Sequence, residues 1–197
     1  MELQEIQTED VFREIGNVGM GSCMASLSHM IGAAVRYSPL ELLKMEYNGL
    51  SEWFGCADES VVGVLVPFDG DVRGRVLQVY KREMVNNILE GVLGQREGPA
   101  ELDGRRLDLL REVANITAST YLTTLAAYTG FVIEISSAAV SMDMAGAIVT
   151  EVIGMGEGTL CIGNRFFVEK EEDGSRLLVM FEEPFASQFL GALEVMG

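Results

Sequence analysis

The chain has 197 residues, 48% of them hydrophobic and 22% charged. That is globular composition, and a chain of this size buries a core without disulfides or a structural metal. Thirty acidic against 14 basic residues give a formal net charge of −16, which argues against nucleic-acid binding and against a basic membrane-surface protein, since both rest on clustered Lys and Arg.

In chain order, residues 1–10 are acidic and polar rather than basic then apolar, so no secretory signal is expected. Asp10 to Gly32 reads as a helix, with Val11, Ile15 and Val18 at helical spacing, Leu27 and Ile31 extending the set, and Thr8 as candidate N-cap. Ala33 to Tyr37 is a short strand ending at Pro39, and Glu41 to Cys56 has no clear period. Ser60–Phe68 and Val72–Tyr80 flank Asp69-Gly70-Asp71, a hairpin signal. Arg82 to Leu93 is a helix closed by Gly94, and Gln95 to Pro99 is a polar turn. Leu102 to Thr129 is a second long helix, Phe131 to Ile135 a strand, and Ser141 to Ile153 a helix. Leu160–Val168 and Arg176–Phe181 flank Glu172-Asp173-Gly174 as a second hairpin, and Pro184 to Val195 closes the chain as a helix. No run of about 18 apolar residues appears, so no membrane span is expected.

The order helix, short strand, variable piece, hairpin, helix thus occurs twice. At an offset of 98, Asp10 falls on Asp108, Arg13 on Arg111, Glu14 on Glu112, Asn17 on Asn115, Leu27 on Leu125 and Gly32 on Gly130. Amphipathic helices share apolar positions easily, but not D-x-x-x-E-x-x-N. The expectation is an internal duplication, with repeats at about 8–98 and 102–197 fused into a single domain over 1–197. The fold class is α+β: two pseudo-symmetric halves share a largely antiparallel sheet, with the two motif-bearing helices exposed on one side.

Asp10, Glu14, Asn17 and Gly21 lie on one helical stripe, as do Asp108, Glu112, Asn115 and Ser119. A polar stripe is what any amphipathic helix shows to water. Asn, however, is an indifferent helix former and has no structural reward at two equivalent mid-helix positions. Gly16, Gly19 and Gly21 have neither the order of a dinucleotide loop nor a preceding strand, so close packing or partner approach is the better reading. One histidine, His29, rules out a two-His zinc site within one chain and is read as a packing or surface residue. Cys23, Cys56 and Cys161 form no CxxC, and a sparse odd set suits a reducing, cytoplasmic setting.

The doubled L-R-E-x-x-N followed by small residues resembles the CheC family of chemotaxis phosphatases, which includes CheX and the phosphatase part of the flagellar switch protein FliY. Asp10-Val-Phe-Arg-Glu14-Ile-Gly-Asn17 and Asp108-Leu-Leu-Arg-Glu112-Val-Ala-Asn115 both carry the motif core. Trp53-Phe-Gly-Cys-Ala-Asp58, Ser119 to Leu125 and Ser141-Met-Asp-Met-Ala-Gly-Ala147 also agree. Two motif-bearing halves resemble free-standing CheC more than CheX, and no residues remain for the flagellar-switch module of FliY. The family's motif proline falls one position early in the first half, at Pro39, and Ala138 occupies its place in the second.

The resemblance implies hydrolysis of the aspartyl phosphate of a CheY-type response regulator. It implies Glu14, Asn17, Glu112 and Asn115 as catalytic residues, the Glu meeting the regulator's lysine and the Asn placing the attacking water, with Asp10 and Asp108 in support. Mg²⁺ would sit on the regulator, and this chain would need no cofactor or metal of its own. Asp143 could simply cap a helix; the resemblance makes it a contact for the receptor deamidase CheD. The alternative function is a non-enzymatic adaptor that binds CheD or the regulator, and a third reading is a duplicated structural protein with no part in chemotaxis.

Overall fold

The computed structural model describes residues 2–43, 47–55, 57–94, 102–154, 160–168 and 173–182. The predicted polar turn Gln95–Pro99, the closing helix Pro184–Val195 and Cys56 lie outside them. The described elements are α1 (Glu2–Ile31), β1 (Val35–Tyr37), β2 (Glu41–Leu43), α2 (Tyr47–Phe54), β3 (Ser60–Gly70), β4 (Gly74–Tyr80), α3 (Arg82–Leu93), α4 (Gly104–Thr129), β5 (Ile133–Ile135), β6 (Ala139–Met144), α5 (Ala145–Gly154), β7 (Leu160–Val168) and β8 (Ser175–Phe181).

Local chemistry sets several boundaries. Asp103 Oδ1 accepts the Arg106 N–H at 2.9 Å and caps α4, which begins at Gly104, two residues beyond the predicted Leu102. Gly130 ends α4 at φ 74, in the left-handed region, with its N–H on Ala126 O at 2.8 Å. Gly32, its counterpart after α1, has φ 67. At the other end of α1 the expectation fails: Thr8 lies inside the helix, because the Glu, Leu and Gln residues before it are good helix formers.

Among the described residues, all strand pairings are antiparallel. The sheet runs β1-β7-β8-β4-β3-β5, with β2 also on the outer edge of β7 and β6 also on that of β3. The predicted helix Ser141–Ile153 is corrected here. Residues 141–144 belong to β6, where Ser141 opposes Gly63 and Met144 opposes Ser60, and only then does α5 begin. The nonlocal ladder overrides local periodicity. Glu41 to Cys56, without a clear period in sequence, contains β2 and α2.

The sheet separates two cores. Along β8, Leu177, Val179 and Phe181 join the core under α1, α3 and α4, while Leu178 and Met180 join the one under α2 and α5. This is the period of two that alternating Cβ directions impose. The pairings repeat at the offset found in the sequence. Val35 opposes Val168 and Ile133 opposes Gly70; Glu41 opposes Gly163 and Ala139 opposes Leu65. Each pair differs from its twin by 98 in one partner and −98 in the other, so each half lends its short strands to the other half's hairpin.

Candidate functional site

From Arg13 to His29, every α1 residue has the same degree of exposure as the α4 residue 98 positions later, from Arg111 to Ala127. Ile15, Gly16, Gly19, Met20, Cys23, Met24 and Leu27 are buried, as are Val113, Ala114, Thr117, Ala118, Tyr121, Leu122 and Leu125. Glu14 and Glu112 are exposed, and Asn17 and Asn115 are half-buried one turn along. Val18 and Ile116, each following its Asn, are 39% and 46% exposed. Each outer face therefore offers a carboxylate, a side-chain amide and an apolar side chain within about one turn.

The side chain of Asp10 lies outside the described set; its backbone is in α1. Asp108 is exposed on α4 and pairs with Arg111 at 3.1 Å. Asp143 stands apart on β6, opposite Val61, exposed between the exposed Met142 and Met144. It lies one residue before Met144, the N-cap position of α5, and does not cap the helix. Its Oδ1 accepts the adjacent Met144 N–H at 2.7 Å, while the first N–H groups of α5, from Ala145 and Gly146, go to the carbonyls of Glu59 and Ala57. The structure thus brings Glu14 with Asn17 and Glu112 with Asn115, and leaves Asp143 on a sheet edge.

One residue missed in the sequence, Leu40, lies against the first motif. The Leu40 N–H donates to Asn17 Oδ1 at 2.9 Å, and Arg13 Nη1 donates to Leu40 O at 3.0 Å. Leu40 is buried, and a methyl added at Gly16 would collide with its side chain. The signal available in sequence was the displaced Pro39, which leaves position 40 a residue with an N–H to give.

Gly16 and Gly19 are packing positions: a Cβ at Gly19 would stand 3.3 Å from the Tyr121 ring, and one at Gly16 would stand 3.4 Å from its hydroxyl. His29 is exposed in the last turn of α1. Burial raises the Cys23 and Cys161 thiols far above their ordinary range, so neither offers a thiolate. Among the described residues, no group of three or more His, Cys, Asp and Glu side chains could hold a metal ion, and no helix is long and apolar enough to cross a membrane.

What the arrangement supplies is a pair of polar, accessible helix faces that could orient a bound group from outside. A model of the CheC-like family matches residues 106–137, which hold the second motif and β5. The chain is 26% identical over 145 residues to the CheY-P phosphatase CheC of Bacillus subtilis, covering 72% of this chain and 69% of the relative. Its fold matches that of Thermotoga maritima FliY with a TM-score of 0.74 at 20% identity, covering 96% and 97% of the two chains. It also matches CheX in the CheX–CheY–BeF3–Mg complex from Borrelia burgdorferi, with a TM-score of 0.59 at 18% identity over 84% and 96%. The chain thus resembles CheC-type proteins in sequence, and its fold is that of the FliY and CheX structures.

Proposed function

We propose that this chain hydrolyses the aspartyl phosphate of a CheY-type response regulator, using the outer faces of α1 and α4. The observation that carries the reading is the twinned Glu and Asn at matched exposure, Glu14 with Asn17 and Glu112 with Asn115. The B. subtilis relative is a CheY-P phosphatase, and the B. burgdorferi CheX was solved bound to CheY, which supports both the activity and the partner.

An acyl phosphate is already activated, so catalysis consists of placing water in line and stabilising charge. The Asn17 and Asn115 amides both donate and accept, which suits them to hold the attacking water. Glu14 and Glu112 meet the regulator's active-site lysine and fix the docking angle, with Asp10 and Asp108 in support. Mg²⁺ belongs to the regulator, and no nucleophile is required of this chain. The shared 98-residue offset of motifs, exposure and strand register supports one duplicated domain with a site in each half. A cytoplasmic setting goes with such a partner.

In the doubly substituted Asn17→Ala/Asn115→Ala protein, phosphate release from the phosphorylated regulator should fall to the rate of the regulator alone, with the circular-dichroism spectrum unchanged and the melting temperature lowered by no more than about 2–4 °C, the worth of the lost Asn17–Leu40 hydrogen bond. Undiminished acceleration by that protein would refute the mechanism. The exposed run Met142-Asp143-Met144 favours a second reading, an adaptor that binds CheD. An adaptor would give no acceleration with or without CheD.

A further inference from the structure

Arg13 and Asn17, one helical turn apart on α1, grip opposite ends of the same residue. Asn17 Oδ1 takes the Leu40 N–H at 2.9 Å, and Arg13 gives a hydrogen bond to the Leu40 carbonyl at 3.0 Å. With its oxygen so occupied, the Asn17 amide turns its NH₂ away from Leu40.

The second half has the same residues on the helix but not the same arrangement. Arg111 pairs with Asp108 at 3.1 Å instead. Asn115 Oδ1 is buried and has no hydrogen-bond partner among the described residues. The chain paths agree nearly up to this point: the Ser38 N–H reaches Arg165 O at 2.8 Å, and the Ser136 N–H reaches Pro67 O at 2.9 Å. The difference begins where Leu40 gives way to Ala138 and Gly16 to Ala114. Gly16 has no Cβ, so the Leu40 side chain seats directly against α1, within reach of Asn17. Ala138 has no comparable side chain to seat, and Ala114 has a Cβ in the way.

We propose that Leu40 is a positioning residue for the first site: its backbone N–H fixes the Asn17 amide in a water-orienting pose, which makes the first site the faster of the two. This rests on the reading that Asn17 and Asn115 orient the attacking water. A buried carbonyl oxygen left without a donor drives the Asn115 amide to turn, so the second site spends part of its time in the wrong pose. The expected difference is about fivefold, the worth of one ordinary hydrogen bond.

Two measurements test it. Amide hydrogen exchange on the protein alone should find the Leu40 N–H protected. Asn17→Ala should speed its exchange about fivefold or more, whereas Asn17→Asp, which keeps an acceptor, should not; Ala138 should not respond to Asn115→Ala. Phosphate release from the phosphorylated regulator is then followed with one site left. Asn115→Ala, with only the first site, should have a kcat about fivefold above that of Asn17→Ala, with only the second. Adding Leu40→Pro to Asn115→Ala removes the donor and should lower kcat about fivefold at constant KM, whereas Leu40→Ala, which keeps the N–H, should lower it less. Leu40 exchange that ignores Asn17→Ala overturns the positioning contact. A second site as fast as the first, or Leu40→Pro no worse than Leu40→Ala, overturns the inequality. No acceleration by the unaltered protein would overturn the phosphatase reading itself, and the inequality with it, even where the exchange result stands.

Discussion

α1 and α4 show solvent the same face but meet each other through different side chains. On one side of their contact, Gly16 and Gly19 of α1 make room for Tyr121 of α4. At the corresponding places α4 has Ala114 and Thr117, and α1 has the buried Cys23. One half of the contact is a large ring in a socket of glycines; the other is two middle-sized groups. Packing density has to be conserved at such a contact, but its division between partners does not. The outer faces kept Glu and Asn while the inner faces diverged.

The sharpest way to break this comparison is to truncate both sides. Tyr121 is fully buried, so Tyr121→Ala should cost about 3–5 kcal/mol in chemical denaturation. Cys23→Ala, at the equivalent position, should cost about 1 kcal/mol, since it removes a single sulfur. Equal losses would mean that the glycine socket is not what seats the helices.

A second asymmetry lies beneath α4. Gln78 is fully buried on β4; its Nε2 donates to Ala114 O at 2.7 Å, and its Oε1 accepts the Tyr80 hydroxyl at 2.7 Å and the Thr117 hydroxyl at 2.9 Å. The register places Gln78 opposite Val64, as Val179 lies opposite Ile162 in the other hairpin, so an apolar residue fills the twin position. Gln78→Leu should cost about 2–3 kcal/mol, because it strands the buried Tyr80 hydroxyl and takes one partner each from Thr117 and the Ala114 carbonyl. Tyr80→Phe should relieve part of that loss in a double-mutant cycle. A cycle with no coupling would dissolve the network into independent contacts.

What was legible in the sequence follows the range of the interactions. The end of α3 at Gly94 and that of α4 at Gly130 were readable because a left-handed cap is a local requirement. The Glu and Asn stripes were readable because helical period alone places them. β6 was not, because Ser141 to Met144 carry no strand pattern of their own and are held by β3, some 80 residues away. Leu40 was hidden for a deeper reason: it acts through a backbone N–H that every residue but proline carries. Arg13 and Arg111 are identical in sequence and in exposure, yet Arg13 holds the Leu40 carbonyl and Arg111 makes no such bond to Ala138. Residue identity fixed what each could donate, and the neighbouring backbone fixed to whom.

The two hairpins give the smallest and most easily measured contrast. Near the first turn, Asp69 pairs with Arg73 at 3.1 Å, both well exposed. Hydrogen bonds from the Gly70 N–H and Arg73 hold its carboxyl below the usual range, but surface pairs of this kind contribute little. At the second turn, Asp173 bridges Lys81 and Arg176, two cations that are themselves nearly buried. Partial burial pushes the Asp173 carboxyl up, yet the hydrogen bonds from Lys81 and Arg176 outweigh it and the net shift is downward. A lowered folded-state value means that the stabilisation is fully present above the unfolded-chain value of about 3.9 and is lost as pH falls through the lower folded value. Asp173→Asn should therefore cost about 1 kcal/mol at neutral pH, discounted for the exposure of the carboxylate, and less below about pH 3. Lys81 would keep Glu59 at 2.6 Å, and Arg176 would keep the Trp53 carbonyl at 2.9 Å, which caps the loss. Asp69→Asn should change stability hardly at all at either pH. A pH-independent loss for Asp173→Asn would assign the effect to packing of the turn rather than to its charge, and the two hairpins would then differ in shape alone.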